Sequence, residues 1–181
     1  MMTNNWFVIT GGPSTGKSKL IKEFENLGYK TVPEVARTVI DVAISKGTTA
    51  EEYRRDEKKF QYEVANLKAE IEKNLDSNEI VFFDRGMQDT MAYLKYYDFE
   101  IDKTIKGYLE KSKYQKVFIL EPLERFKEDY ARVESPEFSS KIYSFLIDAY
   151  KEYGMVPISV PDIGLNNRLQ FIIDKIEIGR K

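Results

Sequence analysis

The sequence contains neither cysteine nor histidine. Without thiols there is no disulfide framework and no cysteine nucleophile, and without imidazole there is no Cys/His zinc site and no triad with a histidine base. Proton transfer must fall to carboxylates, lysine, tyrosine or water. Long apolar runs are missing too: the longest, Trp6 to Ile9, Ile80 to Phe83 and Val117 to Leu120, are four residues each, against the ~18 of a membrane span. Met1 to Asn5 has no basic residue of the kind that opens a secretory signal, so a cytoplasmic protein with no membrane partner is expected. Nor is charge of one sign in excess. With 28 basic and 30 acidic residues, net charge −2 and pI about 5.5, no overall positive field draws the chain to nucleic acid, and any basic site must be local. No repeat, low-complexity tract or Gly/Ser/Pro-rich linker divides the 181 residues. A single domain over residues 1–181 is expected, large enough to bury about 70% of its unfolded surface.

What is present is an alternation of short β-type runs with longer helical stretches. Strands are predicted at Trp6 to Thr10, Tyr29 to Val32, Ile80 to Asp84, Val117 to Leu120 and Val156 to Val160. Between them, Leu20, Ile21, Phe24 and Leu27 recur at helical spacing until Gly28, and Val35 to Lys46 reads as a second helix. Thr49 to Leu75 reads as one long helix, with Phe60, Val64, Leu67, Ile71 and Leu75 on one face. Further helices are predicted near Gln88 to Tyr97, Ile101 to Lys111, Pro136 to Tyr153 and Asn166 to Ile178. Strands spaced by helices imply right-handed crossovers, hence a three-layer α/β/α fold around a mostly five-stranded parallel sheet. Ligands of such sheets sit at the carboxyl ends of the strands.

Directly after the first strand stands Gly11-Gly12-Pro13-Ser14-Thr15-Gly16-Lys17-Ser18, which fits G-x-x-x-x-G-K-[ST] and leads into a helix. Glycines let the backbone turn so that the N–H groups of Thr15, Gly16, Lys17 and Ser18 point at phosphate oxygens, with the helix dipole behind them. Lys17 then supplies a cation between β- and γ-phosphates, and the Ser18 hydroxyl is a hard ligand for Mg²⁺. Pro13 removes one amide, before the four that form the cradle. The plain alternative is a Gly-rich turn that matches by chance.

After the third strand, Asp84 is placed to hold Mg²⁺ through water, with a helix N-cap as its structural alternative. It is followed by Arg85, not the Glu that activates water in motor ATPases, and no Asn-Lys-x-Asp guanine-reading signature occurs. Arg85 is a candidate substrate-binding residue, with a surface ion pair as its plain alternative. After the second strand, Pro33 fixes a turn and Glu34 faces the γ-phosphate from the acceptor side, where it can take or orient the acceptor's proton. The rival role for Glu34 is compensation of a helix dipole. Arg37, one turn on, either holds a substrate phosphate or pairs with Glu34. Arg125 and Arg132 lie seven apart in a charged segment after the fourth strand, at about 121–135, where small P-loop kinases carry a helical lid whose arginines close over the phosphates. A solvated charged helix paired through Asp129 is the alternative.

These blocks resemble a known family: the predicted AAA-type ATPase or kinase domains related to the ribosylnicotinamide kinase domain of the bacterial regulator NadR. The resemblance spans nearly the whole chain and is carried by Phe7-Val8-Ile9-Thr10-Gly11-Gly12-Pro13, by Pro33-Glu34 to Arg37, by Phe83-Asp84-Arg85-Gly86 with Asp89 and Tyr93, and by Tyr130 to Glu134. It implies a P-loop NTPase fold and an ATP- and Mg²⁺-dependent domain of the nucleoside or nucleotide kinase type, without naming the acceptor. Asp89 and Tyr93, on one helical face near the acceptor, would bind substrate, Asp89 through ribose hydroxyls; ordinary core packing is the alternative for Tyr93. Arg168 opens the last helix near where such kinases flank adenine, and is as readily a solvated side chain. The expected activity is transfer of the γ-phosphoryl of a nucleoside triphosphate to a small-molecule acceptor, with no nucleic-acid partner. The alternatives are a nucleotide-dependent switch and a polynucleotide 5′-kinase, the latter opposed by the acidic balance and the lack of a basic stripe interleaved with aromatics.

Overall fold

The apolar run that begins at Trp6 is a central strand, β1 (Trp6–Gly11), buried along its whole length. In the computed structural model, which describes residues 4–122 and 136–176, it pairs on one side with β3 (Val81–Asp84) and on the other with β4 (Lys116–Leu120). The shorter strands β2 (Lys30–Val32) and β5 (Ile158–Val160) close the edges, giving one all-parallel sheet in the order β2-β3-β1-β4-β5. Side-chain alternation splits the core into two faces. Trp6, Val8, Val81, Phe83 and Val117 point to one side; Phe7, Ile9, Phe82, Phe118, Leu120 and Val160 point to the other.

The second face is covered by α1 (Lys17–Asn26) and α8 (Leu165–Lys175), with Phe24 stacked on Phe82 at 3.8 Å between centroids. Over the first lie α2 (Val35–Ser45), α3 (Ala50–Tyr53), α4 (Glu57–Lys73) and α7 (Pro136–Glu152). A second layer of apolar side chains joins α5 (Met87–Tyr96) and α6 (Lys103–Lys111) to α4 and α7. The expected three-layer α/β/α P-loop fold with five parallel strands is what forms. Of the lid anticipated at about 121–135, residues 123–135, with Arg125 and Arg132, lie outside the described residues. Among those described, no helix is long and apolar enough to cross a membrane.

One prediction needs correction. The stretch from Thr49 to Leu75 is not a single helix: Arg54, Arg55 and Asp56 interrupt it. Two local caps explain the break. Thr49 Oγ1 accepts from the Glu52 N–H at 3.1 Å, and Asp56 Oδ1 accepts from the Lys59 N–H at 3.0 Å, so each short side chain starts its own helix instead of continuing one. The apolar stripe continues through α4, because periodicity reports a face and is blind to a three-residue interruption. At the edges, β5 begins two residues later than predicted, after Pro157, which has no N–H for the ladder.

Between β3 and α5 the chain makes a turn at Arg85 and Gly86. Gly86 is required there by close approach: a Cβ on it would lie 2.7 Å from Tyr114 Cε2 and 2.7 Å from Tyr150 Oη. Both tyrosines are buried. Gly107, inside α6, has nothing within 4 Å of the same position. Gly107→Ala should therefore stabilise the protein by about 0.5–1 kcal/mol, and Gly86→Ala should destabilise it by about 1–3 kcal/mol through overpacking. Thermal melts check this, at about 2–4 °C per kcal/mol for a chain of this size. A Gly86→Ala protein as stable as wild type would contradict the packing described.

Candidate active site

The loop after β1 and the helix it enters are built around an αL residue. Gly16, the N-cap of α1, has φ +92° and ψ +10°, a conformation costly to any side chain with a Cβ. That twist starts α1 at Lys17 with its first N–H groups facing the loop. Lys17 is buried, and its ammonium donates to Gly12 O at 2.7 Å and Thr15 Oγ1 at 3.3 Å. It thus lies across its own loop instead of extending away from it. Thr15 Oγ1 donates in turn to Gly12 O at 3.0 Å.

Register places the next group. Ile9 of β1 is opposite Asp84, the last residue of β3, so Asp84 emerges beside the loop. Ser18 Oγ donates to Asp84 Oδ2 at 2.8 Å, while buried Asp84 Oδ1 has no hydrogen-bond partner. Asp84 does not cap the following helix; that position belongs to Gly86. Burial, then the nearby Glu34 carboxylate, push the Asp84 carboxyl up from 3.8 to about 6, against the pull of Lys17, Arg85 and the Ser18 bond. A hydroxyl and a carboxylate with one unspent oxygen are hard donors suited to Mg²⁺. Among the described residues no group of three or more Asp or Glu could hold a metal ion.

Arg85 sits at the centre of the polar cluster, and not on the surface. Its backbone is in the left-handed region at φ +72°, a strain of about 1–3 kcal/mol for a non-glycine residue. The side chain is held by four contacts. Nε donates to Glu34 Oε1 at 2.9 Å, and Nη1 donates to Gly11 O and to Asp89 Oδ1, each at 3.0 Å. Its guanidinium lies 5.6 Å from the centre of the Tyr93 ring. Burial alone would weaken its hold on the proton, but Tyr93, Glu34, Asp89 and Asp84 keep it firmly charged.

Glu34 is the N-cap of α2, yet its side chain makes no capping bond and turns instead to Arg85. Asp89 is saturated by the protein. Oδ1 accepts from Thr10 Oγ1 at 2.6 Å and from Arg85, and Oδ2 accepts from the Gly86 N–H at 3.1 Å and from Tyr150 Oη at 2.5 Å. A ribose hydroxyl would have to displace one of these donors, so the interaction that Asp89 visibly makes is with Arg85 and the turn. Tyr93 serves both readings, being part of the apolar core and part of a cleft wall.

That cleft holds about 550 Å³, including its open mouth, and runs from Pro13 of the loop between α2, α4 and α5. Glu34, Arg37, Arg85, Asp89 and Tyr93 all line it. So do three residues that the sequence reading missed: Arg54, Gln61 and Lys68. Arg54 is fixed by Glu57 through two 3.0 Å bonds, and Gln61 donates to the same Glu57 at 2.8 Å. Lys68 is buried and donates to Gly86 O at 2.6 Å and Thr90 Oγ1 at 3.3 Å; burial pushes its ammonium pKa down, with Asp89 pulling it up. The available signal for Gln61 and Lys68 was their spacing of seven, which puts both on one flank of the apolar stripe of α4. Arg168 is not solvated either: it is buried against the phosphate-type loop, with Nη1 donating to Thr15 O at 2.8 Å.

The family model described as AAA domain matches residues 6–168. A search of curated proteins finds no match. Among solved structures, that of NadR protein in complex with NR superposes with a TM-score of 0.71 at 19% identity, covering 97% of this chain and 50% of that one. The chain therefore spans about half the length of that relative. Deoxyadenosine kinase from M. mycoides, with dCMP and dCDP, matches at TM-score 0.63 and 17% identity over 95% of this chain and 98% of that one. Thymidylate kinase from Ehrlichia chaffeensis matches at 0.61 and 16% over 94% and 97%. At identities this low the superpositions show a shared fold, that of the P-loop kinases, and nothing finer.

The raised Asp84 pKa has a measurable consequence. The folded chain holds that proton more tightly than the unfolded chain, so its contribution to stability is full below about pH 4 and is lost as pH rises through about 6. In EDTA at pH 7, Asp84→Asn should be more stable than wild type by on the order of 1–3 kcal/mol, and the gap should close near pH 4. Melting curves at both pH values check it; a gap of equal size at both would refute the electrostatic origin.

Proposed function

The chain belongs to the AAA domain family and has the P-loop kinase fold, and from that premise we propose that it is an ATP- and Mg²⁺-dependent phosphotransferase of the nucleoside or nucleotide kinase type. In this reading, Gly11, Gly12, Pro13, Ser14, Thr15, Gly16, Lys17 and Ser18 hold the triphosphate, and a small acceptor enters the cleft of Glu34. One observation carries the proposal. A carboxylate clamped by Arg85 lines a cleft that Pro13 of the phosphate-type loop also lines. A nucleotide-dependent switch, the alternative reading, requires no second cleft against the loop.

Ser18 and Asp84 would hold Mg²⁺, which when bound neutralises charge on the phosphate oxygens. The Lys17 ammonium would exchange its bonds to Gly12 O and Thr15 Oγ1 for β- and γ-phosphate oxygens. The acceptor hydroxyl gives its proton to Glu34 as its oxygen bonds to the γ-phosphorus, and the bond from that phosphorus to the bridging oxygen breaks with its electron pair leaving on ADP. Arg85 keeps the Glu34 carboxylate aimed, and Asp89 keeps Arg85 aimed. Arg37 and Tyr93 contact the acceptor from the walls, and Arg125 and Arg132 close over the phosphates. Catalysis here is mostly positioning and preorganised charge. A single cytoplasmic domain, with no nucleic-acid partner, fits this role.

The test is ADP release across a panel of nucleosides, nucleotides and vitamin-derived alcohols, with and without Mg²⁺. Stimulation by one acceptor class is expected; tight nucleotide binding with an unchanged basal rate would favour the switch. With the acceptor in hand, Glu34→Gln should bind MgATP nearly as wild type and lose roughly 10²–10⁴ in transfer rate, whereas transfer within about threefold of wild type would remove Glu34 from the chemistry. Lys17→Ala should keep the fold and lose most triphosphate affinity or turnover, and equal binding and turnover would count against the phosphate cradle.

A further inference from the structure

We infer that Arg168 is a positioning residue for the nucleotide site, one that sets the Thr15–Gly16 peptide so that the Gly16 N–H faces bound phosphate. The inference deepens the proposed nucleotide role of the loop and rests on it. Arg168 lies in the first turn of α8, and its guanidinium donates to three backbone carbonyls on three separate segments. Nη1 reaches Thr15 O in the loop after β1 at 2.8 Å. Nη2 reaches Glu121 O, just past the end of β4, at 3.1 Å, and Nε reaches Pro161 O, just past the end of β5, at 2.8 Å. These strands are adjacent in the sheet, in the order β1-β4-β5, so one buried cation ties the carboxyl ends of three neighbours together. The Asp162 carboxylate stands 3.8 Å away and that of Glu121 also acts on the guanidinium, while its three hydrogen bonds described above all go to backbone carbonyls.

The stereochemistry of the peptide converts this anchor into a function. In a trans peptide the C=O and N–H point in opposite directions. With the Thr15 carbonyl held toward α8, the Gly16 N–H must point away from α8, toward the hollow of the loop. No backbone carbonyl of the described residues accepts from it. Gly16 has the left-handed backbone of a glycine free to rotate, so the same peptide without Arg168 has an alternative orientation that withdraws the N–H. Arg168 touches no phosphate in this scheme. It acts through the peptide.

The experiment uses the whole chain, as wild type, Arg168→Lys and Arg168→Ala, with ADP and adenosine titrated calorimetrically and the Gly16 amide followed by NMR. In wild type, ADP should move the Gly16 amide proton downfield. Arg168→Lys keeps the charge but lacks the fork that reaches three carbonyls. It should lose roughly tenfold or more in ADP affinity, lose the Gly16 shift, and leave adenosine affinity unchanged. In Arg168→Ala, added guanidinium should restore part of both signals. A folded variant that binds ADP within threefold of wild type and shows the same Gly16 shift overturns the inference. Should Arg168→Ala fail to fold, Arg168→Lys decides alone. A wild type that binds no ADP would instead overturn the phosphate reading of the loop, and this inference with it.

Discussion

The buried Arg85 guanidinium is the interaction on which the rest of the site depends. It stands at the turn where β3 passes into α5 and grips β1 through Gly11 O, the start of α2 through Glu34 and the first turn of α5 through Asp89. Removing any of these acceptors would leave a charge buried without full compensation, which is costly in a low-dielectric interior. The cluster is therefore held as a unit. Asp89, with donors from Thr10, Gly86 and Tyr150 as well, fixes Arg85 in turn. Tyr150 and Tyr114 pack against Gly86, and their hydroxyl oxygens accept from the Gly86 and Met87 N–H groups, which holds the turn in place.

Beneath this polar layer the fold is conventional and apolar. The two faces of the sheet are filled by alternating side chains of β1, β3 and β4, and the helices supply matching stripes. That core supports a carboxyl edge rich in unfavourable features: a left-handed arginine, an aspartate whose proton is held to about pH 6, and the buried ammonium of Lys68, which donates to Gly86 O. Strain and buried charge of this kind concentrate at sites of chemistry, where they are retained for what they position. Here they surround one cleft and the loop beside it.

Much of this was legible in the chain itself. The strand, glycine-rich loop and helix from Trp6 to Asn26 follow from local chemistry, as does a carboxylate at the end of the third strand. Asp84 and Ser18 meet because both are attached to adjacent strands in register. Less legible were Arg54, Gln61 and Lys68. Gln61 and Lys68 flank the apolar stripe of α4 and read as its polar boundary, and Arg54 lies in the break before that helix; only the tertiary packing brings all three to the cleft. The break at Arg54 to Asp56 was hidden for a related reason, since capping by Thr49 and Asp56 competes with helix continuation on nearly equal terms.

What the sequence alone determined is the set of local conformations: which segments are strands, where the phosphate-type loop lies, and which side chains stand just beyond each strand. These depend on periodicity, glycine and capping, all of which act within a few residues. What only the tertiary structure decided is partnership. Glu34 turns from its own helix to Arg85, 51 residues away, and Arg168 reaches Thr15 across 153 residues. Asp89 spends its oxygens on the scaffold. No local preference favours one of these acceptors over another. A buried charge takes the partner that the converging strand ends place within hydrogen-bond range, because leaving it unpaired costs more than any local conformational preference can repay.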